Sequence, residues 1–349
     1  MPRTRIAVAG TGYIGQAHMA TAQQSGTVVL SAVVDPAPAA AALAARAGVP
    51  LYTSLDALLA AQCCDAIVLA TPNALHVPQA LQCMSAGLPV LLEKPIAPTV
   101  AQAQQLVDAV ESKKAKLLVG HHRAHSPIMA KACKVVQSGK LGRLVCVMGS
   151  ALFFKPDHYF DDGPWRRELG AGPILLNMIH EVHNLRMLCG DITAVQAFAS
   201  NAVRGFAVED TVAMNLRFAS GALGTFMLSD TAASARSWEQ TSQENTAYPS
   251  YDDEDCYVIS GTSGSLSVPT MRLKTYGHRQ DHSWWKPFEQ STVAMVRDDP
   301  IKLQMEHFGQ VARGQATPLV SALDGLNNLR ITEAIMQSAL SGQMVSTTT

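Results

Sequence analysis

Three glycines at the end of a predicted strand have the spacing that holds the phosphates of a dinucleotide. Gly10, Gly12 and Gly15 form a GxGxxG pattern between an apolar strand over residues 5–10 and a predicted helix. Gly10 permits a tight turn, Gly12 lets the backbone approach a pyrophosphate, and Gly15 lets helix and strand pack closely. The helix N-terminus offers amide N–H groups and a positive dipole end to the phosphates. The alternative is an ordinary glycine turn between strand and helix.

Asp35 supplies the acidic residue that a dinucleotide site needs at the end of the next strand. It follows the strand predicted over residues 27–34 and lies about twenty residues beyond Gly15. Its carboxylate could accept hydrogen bonds from ribose hydroxyls, and its charge would repel a 2′-phosphate. The following Pro36-Ala37-Pro38 contains no arginine to bind such a phosphate. The pattern therefore favours NAD over NADP.

Other polar segments also follow predicted strands. Thr71-Pro72-Asn73 ends the strand over residues 65–70, Glu93-Lys94-Pro95 ends the strand over 89–92, and Gly120-His121 ends that over 116–119. Ligands of parallel sheets bind at the carboxyl ends of the strands. We therefore expect these segments to lie around the same ligand.

The elements that must position these residues change in character near residue 122. Before it, uninterrupted apolar strands alternate with helices, which predicts parallel βαβ units covered on both faces. After it, helices at 126–138 and 174–189 accompany a series of strand-like segments with hairpin signals. We therefore predict an α/β Rossmann domain over residues 1–121. An α+β domain with a large open, mainly antiparallel sheet is predicted over residues 122–349.

Composition predicts two irregular loops, over residues 155–167 and 238–255, and a frayed tail over 345–349. Between the second loop and the tail, we expect helices near 301–313 and 323–340.

Composition excludes several classes of protein. The 349 residues are 48% hydrophobic and 16% charged with a net charge of −1, so a nucleic-acid partner is not expected. The seven cysteines are irregularly spaced, which argues against a disulfide framework. No signal peptide or membrane span is predicted, and the expected location is the cytoplasm. Several histidines raise the possibility of a metal site, but neither HExxH nor a zinc-type spacing occurs, so no metal is predicted.

These motifs together resemble a known family. The sequence is similar to the glucose–fructose oxidoreductase / inositol dehydrogenase (Gfo/Idh/MocA) family over nearly its whole length. The matching segments are Gly10–Gly15 with His18, Thr71-Pro72-Asn73 with His76, Glu93-Lys94-Pro95, Trp165-Arg166, and Gly172 through His180 to Gly190. The resemblance implies an N-terminal Rossmann domain and a C-terminal α+β domain. It also implies homodimers or homotetramers formed through the face of the C-terminal sheet.

The resemblance assigns the catalytic roles. Lys94 would lie beside the nicotinamide and the reacting carbon, with a Lys94–Pro95 bond that is a candidate for the cis form. His180 would take the position of the family's acid/base histidine. Alcohol oxidation releases a proton as well as a hydride, and lysine accepts a proton only when its pKa falls. The predicted cofactor-binding residues are Gly10, Gly12, Tyr13, Ile14, Gly15, Asp35, Thr71, Pro72, Asn73, His76, Glu93 and Lys94.

The sequence departs from the family around the histidine. Members often carry Asp four residues before it, where this chain has Leu176, and many carry Asp three residues after it, where this chain has His183. Asn177 is the nearest polar candidate, while Glu181 points to another side of the helix. The predicted substrate-binding residues are His122, Arg123, Tyr159, Trp165, Arg166, Asn177 and His183. Arg166 either anchors an acidic substrate or holds its loop, and the 122–123 pair either binds substrate or faces solvent.

The expected function is that of an NAD-dependent dehydrogenase. It would oxidise a secondary alcohol of a sugar, polyol or cyclic diol, or reduce the matching ketone. One alternative is a dihydrodiol-type dehydrogenase or an imine or oxo-acid reductase on the same scaffold. Another is a non-catalytic NAD(H)-binding sensor.

Overall fold

A computed structural model describes residues 3–348 of the chain. These residues form two compact units. The first contains the chain up to His125 together with Asp299–Leu329, and the second contains Ser126–Asp298 together with the chain from Arg330 onward. The chain therefore contributes to the first unit twice, a feature that the predicted single boundary between residues 121 and 122 does not include.

The first unit is built on a parallel sheet. The strands are β1 Thr4–Ala9, β2 Val28–Val34, β3 Leu51–Tyr52, β4 Ala66–Leu69, β5 Val90–Leu92 and β6 Leu117–Val119. They follow the order β3-β2-β1-β4-β5-β6 in the sheet, and their pairings are parallel. Side chains such as Ile6, Val8, Ile67 and Leu91 are fully buried, which explains why these strands are continuously apolar.

Helices connect these strands and start at identifiable caps. The Ser54 hydroxyl accepts from the Ala57 amide at 3.2 Å. The Thr99 hydroxyl caps the next-but-one helix in the same way. Gly87 takes the left-handed conformation that ends its helix. The helices are α1 Tyr13–Gln24, α2 Ala40–Ala47, α3 Leu55–Ala61, α4 Asn73–Ser85 and α5 Val100–Lys113.

The second unit pairs helices with a large sheet. Its helices are α6 Pro127–Gln137, α7 Asp157–Asp161, α8 Ile179–Cys189 and α9 Trp238–Thr241, and a π-helical turn, Ile174–Met178, leads directly into α8. Its strands are β7 Leu144–Leu152, β8 Ile192–Ser200, β9 Thr211–Phe218, β10 Leu223–Ser229, β11 Tyr257–Gly261, β12 Gly264–Val268, β13 Arg272–Thr275, β14 Glu289–Thr292 and β15 Val345–Ser346.

This second sheet is mainly antiparallel, as predicted. Its order is β14-β13-β12-β11-β7-β10-β9-β8-β15, and among the described strands β7 and β10 form the parallel pair. Alternate residues of β9 and β10 are buried, so one face packs on the helices and the other is open. The core includes Val147, Phe218, Phe226, Tyr257 and Leu185.

Three predicted irregular segments contain regular structure. The segment over 155–167 includes α7 and a 3-10 turn at Pro164–Arg167, and the segment over 238–255 begins with α9. The tail predicted to fray over 345–349 instead pairs β15 with β8, and the Thr347 hydroxyl donates to the Ile192 carbonyl; Thr349 lies outside the described residues. A strand of two residues is too short to show an alternating pattern in the sequence. It forms because it pairs with an exposed edge of the sheet.

The last two helices are α10 Pro300–Ala312 and α11 Ala322–Ser341, both near their predicted positions. Helix α10 belongs to the first unit, where it packs on α1 and β2. The contact depends on Gly309, because a methyl group there would lie 2.6 Å from the Val28 side chain. The Arg313 guanidinium also donates to the Thr4 hydroxyl at 2.6 Å. A C-terminal segment thus completes the packing of the Rossmann unit.

Replacing Gly309 with valine should therefore destabilise the first unit. The added side chain must displace α10 or Val28, and such overpacking costs about 1–3 kcal/mol. Urea unfolding should show this loss, while Gln310→Ala, at an exposed position of the same helix, should stay within about 0.5 kcal/mol of the parent chain. Equal stability of the two variants would contradict the packing described here.

Candidate functional site

The glycine turn after β1 has the close contacts that its motif requires. Gly10 has a φ of +90°, and a methyl group there would lie 2.4 Å from the Ala70 carbonyl oxygen. A methyl group on Gly15 would lie 2.0 Å from the Gly10 carbonyl oxygen. Both distances are far inside van der Waals contact, so neither position has room for a side chain. The turn and the helix therefore pack as the motif predicts.

Gly12 has the opposite environment, since its Cα faces open space. No atom of the described residues lies within 4 Å of the place where its methyl group would be. Gly12 is the N-cap of α1 and has no side chain to cover the first amides, and the first turn contains no acidic residue. Tyr13 is exposed and Ile14 is half-buried in the same turn. The arrangement fits a diphosphate group held by backbone N–H groups.

Asp35 is fixed beside this turn by hydrogen bonds. Its Oδ2 accepts from the Thr11 amide at 2.8 Å and the Thr11 hydroxyl at 2.7 Å, and its Oδ1 accepts from the Ala37 amide at 2.9 Å. Partial burial acts to raise the pKa of Asp35, but these bonds outweigh it and the pKa is lowered. The carboxylate is therefore charged at neutral pH, and Oδ1 keeps acceptor capacity for a ribose hydroxyl.

A buried hydrogen bond between a histidine and a carboxyl group holds the end of β5. Glu93 Oε1 accepts from His18 Nε2 at 2.8 Å, and both side chains are buried. Burial acts to raise the pKa of Glu93, but the His18 hydrogen bond and charge, with those of Lys94 and His122, hold it below its ordinary value. Gly120 makes room for the carboxyl group, because a methyl group there would lie 2.8 Å from its carbon. The structure shows an internal partner for Glu93, and its predicted contact with the cofactor stays a prediction.

Lys94 follows this fixed residue and is partly exposed. Its amide donates to Glu93 Oε2 at 3.2 Å, and the Lys94–Pro95 peptide is cis, as expected. The backbone of Lys94 is thus held by the buried carboxylate at the carboxyl end of the sheet.

His76 links two of the predicted loops. Its Nδ1 lies 2.8 Å from the Pro95 carbonyl oxygen and its Nε2 lies 2.9 Å from the Thr71 carbonyl oxygen. Burial is the main cause that lowers the pKa of His76. The ring therefore positions the Thr71-Pro72-Asn73 turn against the Lys94-Pro95 turn, and its predicted contact with the cofactor stays a prediction. Pro72 is the N-cap of α4, and Asn73 is the first residue of that helix.

His180 lies in the first turn of α8, just after the π-helical turn. The entry to this helix is held by Glu209, whose Oε1 accepts from the Ile174 amide at 2.8 Å. Gly172 is required there, because a methyl group would lie 2.3 Å from the same oxygen. Burial raises the pKa of Glu209. π-Helical turns are rare and frequent at functional sites, and this one sets the direction from which α8 presents His180.

Glu181 is directed away from its neighbour His180, as predicted. It accepts a hydrogen bond from the Tyr257 hydroxyl, which in turn accepts from Asn184 Nδ2 at 2.9 Å. All three side chains are buried. Glu181 therefore fixes the rotation of α8 against the sheet, and it is not a substitute for the missing aspartates.

Asn177 has a partner that the sequence did not indicate. Its Oδ1 accepts from Lys155 Nζ at 2.8 Å. Lys155 lies just beyond β7 and is also 3.4 Å from Asp230 Oδ2. The pair joins residues 22 positions apart, and no motif surrounds Lys155. The contact between Lys155 and Asn177 is therefore visible only in the tertiary structure.

The aromatic loop before α8 is held by Arg166. Its guanidinium lies 4.0 Å from the ring centre of Tyr159 and 5.4 Å from that of Trp165, and it also donates to the Tyr159 carbonyl. Of the two predicted roles for Arg166, these contacts favour holding the loop. Trp165 is exposed and Tyr159 is half-buried, so both retain surface for a ligand.

The remaining predicted histidines and Arg123 have varied environments. Arg123 and His183 are buried and His122 is partly exposed, and their contact with substrate stays a prediction. His121 Nε2 lies 3.1 Å from Asn328 Nδ2, and His125 Nε2 lies 2.8 Å from His307 Nδ1. Within residues 3–348, no group of three or more His, Cys, Asp or Glu side chains is arranged to hold a metal ion.

A cavity of about 430 Å³ lies within the second unit. It is lined by Phe154, Asp157, Phe160, Arg167, Val203, Arg204, Phe206 and Thr231. None of the predicted site residues lines it, and its two guanidinium groups are already paired, Arg204 with Asp230 and Arg167 with Asp161. Its composition therefore does not indicate an anion site.

The buried Glu93 predicts a pH-dependent stability. Because its folded pKa lies below the ordinary 4.5, its contribution is fully present above pH 4.5 and is lost as the pH falls through the folded pKa. Glu93→Gln should lower the free energy of unfolding by about 1.5–3 kcal/mol near pH 7, the range for hydrogen bonds to charged groups. The difference from the parent chain should shrink below pH 4.5.

Chemical denaturation between pH 3.5 and 7 measures this difference. Glu111→Gln, on the exposed side of α5, serves as the control and should differ little from the parent at any pH. A gap between Glu93→Gln and the parent that stays constant on acidification would show that the carboxylate is not held as described.

Two family models match this chain. Residues 4–121 match the NAD-binding Rossmann fold of the oxidoreductase family, and residues 129–267 match the GFO/IDH/MocA C-terminal domain. Together they cover well over half of the chain.

Within residues 3–348, no helix is both long and apolar enough to cross a bilayer.

Individual relatives align along nearly the whole chain. The rhizopine catabolism protein MocA of Rhizobium meliloti is 27% identical over 96% of this chain and 94% of its own. An inositol 2-dehydrogenase of Rhizobium meliloti is 24% identical over 98% of each. The WlbA dehydrogenase of Chromobacterium violaceum, solved with NADH and UDP-GlcNAcA, has a TM-score of 0.78 at 25% identity and covers 99% of this chain and 96% of that one. The chain belongs to the GFO/IDH/MocA family and is an NAD-binding oxidoreductase.

Proposed function

We propose that this oxidoreductase oxidises a secondary alcohol of a sugar, a polyol or a cyclic diol, or reduces the matching ketone. The observation that carries the proposal is the edge of the first sheet, where the glycine turn, Asp35 and the Glu93-held Lys94 all follow the carboxyl ends of parallel strands. The substrate class is supported by relatives named inositol 2-dehydrogenase and 1,5-anhydro-D-fructose reductase.

The first unit would bind the cofactor and hold one proton carrier. Bound NAD supplies the acceptor for a hydride. The α1 amides hold the diphosphate, Asp35 binds the ribose, and the His18–Glu93 pair keeps the backbone of Lys94 in place. Lys94 Nζ then contacts the reacting hydroxyl and takes or shares its proton.

The second unit would contribute His180 as the acid/base partner. Its helix is fixed at the start by Glu209 and in rotation by the Glu181–Tyr257 contact. Such bracing matters because proton transfer needs donor and acceptor within hydrogen-bond reach. With Leu176 and His183 at the positions where relatives often carry aspartate, Lys94 and His180 would handle the proton without a carboxylate.

The replacement of aspartate by Leu176 and His183 also supports a second candidate function. A dihydrodiol-type dehydrogenase, or an imine or oxo-acid reductase, would act with the same lysine and histidine. A substrate panel that includes cyclic dihydrodiols and oxo-acids alongside inositols and aldoses separates these possibilities.

Removing Lys94 or His180 should abolish turnover while cofactor binding remains. Lys94→Ala and His180→Ala should each lower kcat by about 10²–10⁴, the usual contribution of a positioned acid or base. Steady-state assays of NAD reduction on the active substrate measure this, and NADH fluorescence titration measures binding.

Two exposed residues supply matched controls. Lys113→Ala in the first unit and His278→Ala in the second remove the same side-chain types from the surface and should keep parental rates. If the Lys94 and His180 variants also turned over at parental rates, the chemistry would have to be assigned to other residues.

We also propose that the open face of the second sheet is covered by a second copy of the chain. Met148 is 58% exposed, Phe198 66% and Leu223 57%. The strand register places Leu223 opposite Cys146, two residues from Met148, and it places Phe198 and Met227 both opposite Ala213. Exposed apolar side chains gathered on one face of a sheet are typical of an interaction surface.

Placing a charge on this face should break the assembly. Met148→Lys is expected to convert a homodimer or homotetramer to smaller species, because an unpaired ammonium would be buried in the contact. Light scattering after size-exclusion chromatography gives the mass. Leu340→Lys, at an exposed position of α11, is the control. A parent chain that is already monomeric, or an unchanged mass, would rule out this interface.

A further inference from the structure

Lys155 is a buried lysine in the second unit that the proposed reaction does not use. Its side chain is 12% exposed and lies near two aromatic rings, 5.0 Å from the ring centre of Tyr159 and 5.6 Å from that of Phe153. Burial lowers its pKa, while Asp230 acts in the opposite sense. A lysine is seldom placed in such surroundings unless its charge has a partner.

The partners of Lys155 leave its charge only partly compensated. Asp230 is shared, because its Oδ1 accepts from Arg204 Nε at 2.9 Å while its Oδ2 is 3.4 Å from Lys155 Nζ. Asp210, another buried carboxylate of this region, accepts from the amides of Val203 and Arg204 and from a threonine hydroxyl. Among the contacts of the described residues, the other hydrogen-bond acceptor of Lys155 is the neutral Asn177, and the buried Glu209 lies near enough for Lys155 to act on its pKa. An ammonium has three donors, so one more acceptor can bind.

The Lys155 ammonium contacts the helical segment that leads to His180. Asn177 precedes His180 by three residues in the continuous run from the π-helical turn into α8. Asn177 therefore lies in the helical turn that precedes the histidine, and Lys155 Nζ contacts that turn at 2.8 Å. A substrate whose alcohol contacts His180 would bring its neighbouring groups to Lys155.

We propose that Lys155, oriented by Asn177, binds an anionic group of the substrate, so that the preferred substrate is a sugar acid or related hydroxy acid. This inference rests on the proposed function and narrows its substrate class. The neutral Asn177 is essential to it, because a carboxylate at that position would pair with Lys155 and occupy the donor that the substrate needs. The Lys155 ammonium would bind the carboxylate by a charge-assisted hydrogen bond.

Matched acid and neutral sugars test the inference. We would compare kcat/KM for D-glucuronate with D-glucose, and for D-galacturonate with D-galactose. The parent should favour the acid at least tenfold. Lys155→Met should lower the acid-to-neutral ratio by about 10–100-fold, as expected for the loss of a hydrogen bond to a charged group. Lys155→Arg should retain much of the ratio because it keeps the charge.

Asn177→Asp supplies an independent second variant. The new carboxylate would neutralise Lys155 without removing it, so the acid-to-neutral ratio should fall as it does in Lys155→Met. Lys140→Met, which removes an exposed lysine of the same unit, should keep the parental ratio. Thermal unfolding and NADH titration of each variant confirm that it is folded and binds cofactor.

The outcomes separate this inference from the proposed function. If neutral sugars and polyols are oxidised as well as the acids, or if Lys155→Met leaves the ratio unchanged, the anion site is wrong and the dehydrogenase proposal stands. If no sugar, polyol or acid turns over, the proposed function fails. Calorimetric titration of glucuronate and glucose into the NADH complex then still decides: Lys155-dependent binding of the acid supports the site, and equal or absent binding of both overturns it.

Discussion

A single buried carboxylate organises the catalytic end of the first unit. Glu93 lies at the end of a strand whose other residues are fully apolar, and an uncompensated charge there would cost several kcal/mol. The protein compensates it with His18 from the first helix and with the amide of Lys94. Gly120 leaves the space that the carboxyl group needs. Helix α1, the strand that precedes Lys94 and the following strand are thereby tied to one buried contact.

The second unit solves a similar positioning problem with different means. Its histidine lies on a helix whose first turn is widened, and Glu209 and the Tyr257–Glu181 contact fix that helix at its start and in its rotation. Each bracing group is buried and hydrogen-bonded, as a buried polar group must be. Buried residues distant in sequence therefore fix the helix that carries His180. His76 serves the same purpose in the first unit by holding two loops together.

These contacts explain how one scaffold can accept different substrates. The phosphate turn, Asp35 and the Glu93-Lys94 end of β5 depend on the Rossmann sheet alone, whereas Lys155 and Asn177 lie in the other unit. If Lys155 binds substrate as proposed, changing the second set would alter the charge presented to the substrate without disturbing the first. Leu176 and His183 also belong to the second unit.

The sequence by itself determined the parts that depend on local pattern. The glycine spacing, the acid after β2 and the continuously apolar strands predict the Rossmann unit, because backbone sterics and two-sided burial leave few alternatives at those positions. Alternation in the later strands predicts the open sheet. The cis Lys94–Pro95 bond was expected from the family resemblance, and the direction of Glu181 follows from helical periodicity.

Only the tertiary structure decided which polar residues have internal partners. Glu93 and His76 belong to the motifs of the site, yet each is held by groups distant in sequence, so their bracing roles could not be read from spacing. Lys155 has no motif at all, and its contact with Asn177 exists because β7 ends beside the helix entry. The return of α10 to the first unit likewise depends on Gly309 meeting Val28. Long-range contacts of this kind arise from how strands and helices pack, which no local pattern records.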